Sequence, residues 1–231
     1  PRADPDAGRV VSLDEAADLI APLIARAGRE HLESDVPVAA FLSGGIDSSL
    51  VLAAAADASA RPVRAFAIGF ADPRFDEAPH ARAVAQRLGA ALDVEVLDER
   101  ALLAALPDAL TAYDEPFGDS SAIPTYLVSA AARRHVTVAL SGDGGDELFF
   151  GYSRYAHAHD SAWMLELPRP LRMLGAAVAG RLPNRRLRRA ADVLASEDAD
   201  RYARFVTWTL QDDVRRFTGQ SGHLARRRSD G

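Results

Sequence analysis

One short segment of this chain combines two glycines, hydroxyl side chains and a carboxylate, the groups that bind phosphate and its metal ion: Ser43-Gly44-Gly45-Ile46-Asp47-Ser48. It follows an apolar run, 36–42, short enough for one buried strand, and precedes an alanine-rich run, 49–56, that predicts a helix. A strand that turns through glycines into a helix leaves unpaired backbone N–H groups at the positive end of the helix dipole. The segment therefore predicts a phosphate site in which Ser43 and Ser48 add hydroxyl donors and Asp47 holds a metal ion.

The segment differs from the common phosphate loop, G-x-x-x-x-G-K-[ST], because it has no lysine. The whole chain lacks lysine, and all 27 of its basic residues are arginine. A Gly-Gly turn capped by serine also occurs in α/β proteins that bind no nucleotide. The order of strand, loop and helix favours the phosphate interpretation over that plain turn.

A second polar cluster follows another short apolar run, 136–140: Ser141-Gly142-Asp143-Gly144-Gly145-Asp146-Glu147. Polar side chains at the carboxyl end of a strand lie where open parallel sheets bind ligands. Its three carboxylates would repel one another unless a cation or an ammonium group lay among them. An acidic turn exposed to solvent is the alternative. Because both clusters follow buried strands of one predicted sheet, we expect them to converge on one ligand.

The rest of the pattern predicts an α/β fold built on a doubly wound parallel sheet, because strands alternate with helices. Ser12 and Glu15 match a capping box that begins the first helix. The apolar residues of this helix are predicted to lie on one face. Helix 99–111, which precedes an irregular loop at 113–121, is expected to break near Pro107. The predicted face consists of Leu13, Ala16, Ile20, Leu23, Ile24 and Ala27. The predicted elements are strands 36–42, 63–69, 93–97 and 136–140 and helices 47–57, 76–89, 99–111 and 124–134.

The C-terminal part is predicted to be a helical segment. Pro168-Arg169-Pro170 and Leu182-Pro183-Asn184 interrupt it. The predicted division places a nucleotide-binding core in residues 1–157 and a helical extension of the same domain, truncated, in 158–231. The pair His157 and His159 is expected to lie on exposed helix surface.

Together these segments resemble the PP-loop ATP pyrophosphatase superfamily, and within it the synthetase domain of glutamine-dependent asparagine synthetases. The resemblance covers about residues 12–155. Besides the two clusters, it is carried by Ser34–Leu42, Phe66–Phe70, Asp76-Glu77-Ala78, Tyr113-Asp114-Glu115-Pro116-Phe117 and Pro124–Ser129.

The resemblance implies an ATP-dependent, amide-forming ligase. In that family the side-chain carboxylate of aspartate is adenylated with release of pyrophosphate, and ammonia then displaces AMP to give asparagine. ATP and Mg²⁺ are the implied cofactors. By resemblance Asp47 and Asp146 share Mg²⁺, whereas Asp143, glutamate in some relatives, holds the acceptor's ammonium or takes a proton from ammonia. Glu147 and Tyr152 match the acceptor pocket. The positions that match ATP or pyrophosphate contacts are Leu42, Ser43, Gly44, Gly45, Asp47, Ser48, Ser49, Ile68, Ser141 and Gly142.

Two departures from the family pattern concern the acceptor pocket. The family reads F-G-G-Y after its acidic cluster, but this chain has Phe150 in place of the first glycine. Histidines on the third strand of many relatives are replaced within 92–96. Two alternatives therefore stay open: a related ligase with another or internal amine, of the β-lactam synthetase or macrolactam cyclase type, and a non-catalytic ATP-binding domain.

The family's glutaminase domain, with its nucleophilic cysteine, has no counterpart in a chain that starts at Pro1 and has zero cysteines. The ammonia is therefore expected to come from a glutaminase domain absent here. The family's lysine near the phosphates is also missing. We accordingly expect the middle of a longer protein, inactive or weakly active by itself.

Composition indicates a globular domain, with 48% hydrophobic residues and no membrane-length apolar run. We expect a cytoplasmic location and no membrane partner. The uneven distribution of charge along the chain raises the question of an RNA partner. Residues 168–231 carry 14 arginines and 7 acidic residues, a net charge of +7, against −13 for 1–167. Aromatic residues do not interleave with those arginines, so a solvated helix face is favoured over nucleic acid. A homodimer is a further expectation.

Overall fold

The computed structural model describes residues 12–115, 119–160 and 163–196. Pro116 and Phe117 of the resemblance, and the part of the predicted helical extension from residue 197 onward, lie outside the described residues. The described chain forms two compact units, one ending at Asp146 and one starting at Glu147.

The first unit alternates strands and helices, as the sequence predicts. Its helices are α1 (Leu13–His31), α2 (Ile46–Ala58), α3 (Ala78–Leu88), α4 (Glu99–Thr111) and α5 (Ala122–Arg133). Its strands are β1 (Val38–Phe41), β2 (Arg64–Phe70), β3 (Ala91–Leu97) and β4 (Val138–Leu140). Helix α6 (Gly145–Phe149) spans the division between the units.

All described strand pairs of the sheet are parallel, in the order β3-β2-β1-β4. After β1 the chain moves to β2 on one side and later returns to β4 on the other side. The carboxyl ends of β1 and β4 therefore flank the point where the strand order reverses, which is where open α/β sheets bind ligands. The predicted doubly wound parallel sheet is confirmed.

Small apolar residues let helices pack closely on both faces of this sheet. On one face Ala40, Leu42 and Ala65 form a buried core with Leu52 of α2 and Ala81 of α3. On the other face, buried residues of β1 and β2 pack with the end of α5 and the segment after it: Ala39, Phe66, Ala132 and Val136. Buried on both faces, β1 has no polar side chain, which explains why it reads as a continuous apolar run.

Two predictions about helices in this unit are wrong. Helix α4 is continuous through Pro107 rather than broken near it. Proline removes only one helical hydrogen bond, and Leu103, whose carbonyl loses that donor, lies on an exposed part of the helix.

The predicted apolar face of α1 is also partly wrong, since Leu13 is 90% and Leu23 is 56% exposed. Ala27 is exposed as well, whereas the half-buried positions of α1 are Glu15, Ala16, Ile20, Ile24, Ala25 and Gly28. A methyl group on Gly28 would lie 2.8 Å from Cβ of Ala54, so the missing side chain lets α1 approach α2 closely. The predicted cap of α1 is confirmed, because the Ser12 hydroxyl accepts from the Glu15 amide at 3.1 Å.

The described part of the second unit is helical. It contains α7 (Ser153–Asp160), α8 (Trp163–Glu166), α9 (Arg169–Arg181) and α10 (Arg185–Ala195). The break predicted at 182–184 is confirmed. The other break is shorter than predicted, because α9 already begins at Arg169 and includes Pro170 in its first turn. His157 and His159 are exposed on α7, also as predicted. In the part of the chain that is described, no helix is long and apolar enough to cross a membrane.

Candidate nucleotide site

The loop between β1 and α2 is stabilised by the hydroxyl groups of its own serines. Gly45 N–H donates to Oγ of Ser43 at 3.2 Å, and Ser43 N–H donates to Oγ of Ser48 at 3.3 Å. The two hydroxyls are 3.0 Å apart, within hydrogen-bond distance, and Ser48 is only 9% exposed. These serines therefore shape the loop, in addition to the phosphate role that the sequence predicts for them.

The same loop leaves the start of α2 without a side-chain cap. Gly45 is the N-cap residue and forms no side-chain hydrogen bond to the first turn. The first-turn amides of a helix of 13 residues therefore remain as donors at the positive end of its dipole. This arrangement suits an anionic ligand such as phosphate. Ser49, which follows Ser48 in α2, has a buried hydroxyl oxygen with no hydrogen-bond partner among the described residues.

Gly44 is fixed by conformation and by space. Its φ of +85° lies in the left-handed region, which side-chain-bearing residues rarely adopt. A methyl group there would also lie 2.6 Å from the Ala81 amide nitrogen and 2.7 Å from Cβ of His80. The loop between β1 and α2, called the phosphate loop after its predicted role, therefore packs directly on the first turns of α3. The sequence did not indicate this neighbour.

The second cluster meets the first one at the switch point. A methyl group on Gly142 would lie 2.7 Å from the Ser48 amide nitrogen and 3.1 Å from Cβ of Asp47. A methyl group on Gly145 would lie 2.5 Å from Cγ of Asp47 and 2.8 Å from each of its carboxylate oxygens. The two clusters therefore lie against each other, and the two glycines make this close approach possible. That both bind one ligand stays a prediction.

Asp47 and Asp146 are the two carboxylates that the sequence predicts to hold Mg²⁺. The carboxylate of Asp47 occupies the space beside Gly145 that a side chain would fill, and Asp146 is the next residue. Both acidic residues are partly exposed. Among the described residues no group of three or more acidic, histidine or cysteine side chains could hold a metal ion. Two carboxylates are sufficient for Mg²⁺, which takes its remaining ligands from phosphates and water.

Asp143 is held in a different way from the two predicted metal ligands. It is exposed, and its Oδ2 accepts a hydrogen bond from the Ser141 hydroxyl at 3.0 Å. The turn that presents it contains Gly144 at a φ of +88°. Asp143 is therefore a fixed, solvent-accessible carboxylate beside the phosphate loop.

The two predicted apolar contacts of the nucleotide lie at the same edge of the sheet. Leu42 is 2% exposed, and its amide donates to the Phe66 carbonyl at 2.9 Å, which extends the pairing of β1 with β2 by one residue. Ile68 lies two residues beyond Phe66 on β2, past the end of β1, and is half-buried.

In the second unit, Glu147 and Tyr152 form a hydrogen-bonded pair. The Tyr152 hydroxyl donates to Oε1 of Glu147 at 2.7 Å. That bond is the main cause that lowers the pKa of Glu147; its own backbone N–H and the charge of Arg154 add to it. Cζ of Arg154 lies 3.8 Å from the ring centroid of Tyr152, at cation–π distance. Arg154 is a further member of this cluster that the sequence reasoning missed.

The departure at Phe150 has a structural cost. Phe150 has a φ of +58°, the only positive φ of a non-glycine residue in the described chain. The left-handed conformation costs about 1–2 kcal/mol for an ordinary residue, which accounts for the glycine that the resemblance leads one to expect here. The Phe150 ring, 73% exposed, contacts Tyr155 edge-on at 5.2 Å between centroids.

The acidic residues of the third strand are paired with arginines. Asp93 accepts from Nε of Arg64 at 2.7 Å, and Glu95 accepts from Arg134 at 2.9 Å. Asp93 and Glu95 line a cavity of about 280 Å³ on the α5 side of the sheet. His135 lines the same cavity and stacks on Phe66. Both acidic side chains of the segment 92–96 thus have arginine partners.

The described first unit is a parallel α/β fold with two polar clusters in contact at the switch point of its sheet. Residues 19–228 match the asparagine synthase family, and the chain belongs to that family.

Two curated relatives are asparagine synthetases described as glutamine-hydrolysing. The chain is 38% identical over 153 residues to asparagine synthetase 1 of Bacillus subtilis, covering 66% of this chain and 24% of that protein. It is 32% identical over 141 residues to asparagine synthetase B of Escherichia coli, covering 54% of this chain and 25% of that protein. The chain therefore spans about a quarter of the length of these relatives.

Among solved structures, the backbone is similar to glutamine-dependent NAD⁺ synthetase from Acinetobacter baumannii in complex with ADP. The TM-score is 0.45 and the identity 23%, over 64% of this chain and 31% of that chain.

Proposed function

We propose that this chain is the ATP-binding part of a ligase that adenylates a carboxylate and then forms an amide, with the side chain of aspartate as the acceptor and ammonia as the amine. The observation that carries the proposal is the contact of the two clusters, in which Gly142 and Gly145 press against Asp47 and Ser48. Membership of the asparagine synthase family supports the reaction class.

In the first step an oxygen of the acceptor carboxylate attacks the α-phosphorus of ATP. The bond from that phosphorus to the oxygen bridging to the β-phosphate breaks, and pyrophosphate leaves with the electron pair. The first-turn amides of α2 and the loop from Ser43 to Ser49 bind the departing phosphates. Asp47 and Asp146 would hold Mg²⁺, which would neutralise negative charge on the departing phosphates.

In the second step the nitrogen of ammonia attacks the acyl carbon, and AMP leaves from it. The attacking nitrogen becomes cationic and must lose a proton. The exposed carboxylate of Asp143 takes that proton or holds the acceptor's ammonium. Glu147 and Tyr152 contribute to the acceptor pocket. The ammonia would be released from glutamine by a glutaminase domain, the activity named in the relatives, since this chain has no cysteine nucleophile.

The test is exchange of labelled pyrophosphate into ATP by the intact protein that contains this chain, over a panel of carboxylic acids. We expect exchange that depends on aspartate and is lost in Asp47→Asn. Asp57→Asn is the matched control, because Asp57 is exposed near the other end of the same helix. Exchange without any carboxylic acid would contradict the proposal.

The same panel separates the alternatives. Exchange only with a carboxylic acid that carries its own amine, followed by ring closure, would indicate a ligase of the β-lactam synthetase or macrolactam cyclase type. Binding of Mg·ATP without exchange for any acid would indicate a non-catalytic ATP-binding domain.

A further inference from the structure

Asp76 lies in the loop between β2 and α3, outside the candidate site, and bonds to both elements. Its Oδ1 accepts a hydrogen bond from the Phe70 amide at 3.1 Å and another from the Ala78 amide, also at 3.1 Å. Phe70 is the last residue of β2 and Ala78 is the first residue of α3. A single oxygen atom therefore ties the end of a central strand to the start of the next helix.

The space around this oxygen is closely packed. A methyl group on Gly69 would lie 3.2 Å from Oδ1 of Asp76 and 3.2 Å from Cβ of Ala78. Ala78 itself is 4% exposed. The carboxylate is partly buried, so its two bonds are protected from competition by water better than those of a surface side chain.

The first turns of α3, which Asp76 anchors, are the surface on which the phosphate loop rests. His80 and Ala81 lie in these turns, and both contact Gly44 more closely than any side chain at position 44 would allow. Gly44 is held in the left-handed conformation directly before Gly45, the N-cap residue of α2. A shift of the start of α3 therefore changes the support of the loop.

We propose that Asp76 is a positioning residue for the phosphate loop, acting through α3 on Gly44 without contacting the nucleotide. This inference rests on the proposed function only for its effect on nucleotide affinity. Its effect on the loop itself is independent of any ligand. It also assigns a role to Asp76-Glu77-Ala78, a segment that carries the family resemblance and that the candidate site does not include.

The first measurement is residue-resolved hydrogen exchange of the full 231-residue chain without nucleotide. The informative amides are those of Ser43, Gly45 and Ser49, whose hydrogen bonds define the loop. Asp76→Ala removes both hydrogen bonds, and we expect these amides to exchange about tenfold faster because part of that loss is passed on to the loop. Asp76→Asn keeps an oxygen that can accept both bonds, so it should restore slow exchange.

Asp98→Ala is the matched control. Asp98 caps α4 by accepting from the Ala101 amide at 2.8 Å, and α4 packs on α5 and β3. We expect it to lower the melting temperature comparably while leaving exchange in the phosphate loop unchanged. Equal acceleration in Asp98→Ala, or none in Asp76→Ala, would overturn the proposal. If Asp76→Ala does not fold, Asp76→Glu takes its place, because the longer side chain displaces the oxygen by one methylene. We then expect faster exchange of the same amides in Asp76→Glu. Unchanged exchange in that variant would overturn the proposal.

The second measurement is titration of the same variants with Mg·ATP. Affinity should fall about tenfold in Asp76→Ala and stay within about twofold of the parent chain in Asp76→Asn and Asp98→Ala. An equal loss in Asp76→Asn would show that the negative charge is needed, and would overturn an indirect role. If the unsubstituted chain binds no Mg·ATP, the proposed function fails, while the exchange measurement still decides the role of Asp76.

Discussion

The carboxylate of Asp47 lies against the backbone of Gly145, so that a methyl group on Gly145 would be 2.5 Å from Cγ of Asp47. Asp47 belongs to the first turn of α2, after β1, and Gly145 follows β4. This contact brings the two polar clusters of the sequence into one site, and it leads directly to the first prediction.

Gly145→Ala should weaken Mg·ATP binding, because its methyl group and the Asp47 carboxylate cannot occupy the same space. Overpacking of this kind costs about 1–3 kcal/mol of unfolding free energy. Urea unfolding and calorimetric titration with Mg·ATP measure the two effects. The control is Gly175→Ala in α9, where the nearest atom to the new methyl would be 3.7 Å away. Unchanged stability and affinity in Gly145→Ala would contradict the observed packing.

Asp146→Asn and Asp143→Asn should affect different steps. Loss of a metal-ligand charge in Asp146→Asn should weaken Mg·ATP binding as in Asp47→Asn. Asp143→Asn should spare nucleotide affinity but slow amide formation by the intact protein about a hundredfold or more, the scale of lost acid–base catalysis. Titration with Mg·ATP and assays of amide formation separate the two. Equal loss of ATP affinity would place Asp143 among the metal ligands.

Phe150→Gly should be more stable than Phe150→Ala by about 1 kcal/mol, because only glycine adopts the left-handed conformation without steric cost. Both variants lose the ring contact with Tyr155, so the difference between their unfolding free energies reports the effect of the backbone conformation alone. Thermal unfolding of the two variants measures it. Equal stability would mean that the φ of +58° relaxes freely once the ring is removed.

Tyr152→Phe should raise the pKa of Glu147 toward its ordinary value near 4.5, because the hydrogen bond that lowers it is removed. A folded-state pKa below the unfolded value stabilises the protein above the unfolded pKa, and this contribution is lost as the pH falls through the folded pKa. The variant should therefore lose less stability on acidification than the parent chain. NMR titration of Glu147 checks the shift, with Tyr155→Phe as the control that keeps the Tyr152 hydroxyl. An unchanged pKa in Tyr152→Phe would show that another group lowers it.

The order and type of the elements in the first unit could be predicted from the sequence, because each apolar run is short and is followed by a helical pattern. The position of Asp47 at the start of α2 and of Asp143 after β4 followed from the same pattern. The continuity of α4 through Pro107 was mispredicted. A proline at an exposed helix position loses one bond without ending the helix, and sequence alone does not show which carbonyl is exposed.

Contacts between the elements could not be predicted in the same way. Spacing places Gly145 at the end of a strand, but it does not show that the missing side chain accommodates Asp47. Asp76 carried the family resemblance without an evident role, since both of its hydrogen bonds are to backbone amides and leave no sequence pattern. For Phe150, the unexpected residue in a glycine position was the available signal, and the positive φ is its structural consequence.

The contact between Asp47 and Gly145 also has a consequence for folding. The two residues are separated by roughly a hundred positions, so the chain must close a long loop, at an entropic cost, before they meet. A partly folded chain in which β4 has not yet paired with β1 has the phosphate loop but lacks the other half of the site. On the proposed function, nucleotide would bind the completed sheet in preference to such intermediates, and bound ATP would stabilise the pairing of β4 with β1 by mass action.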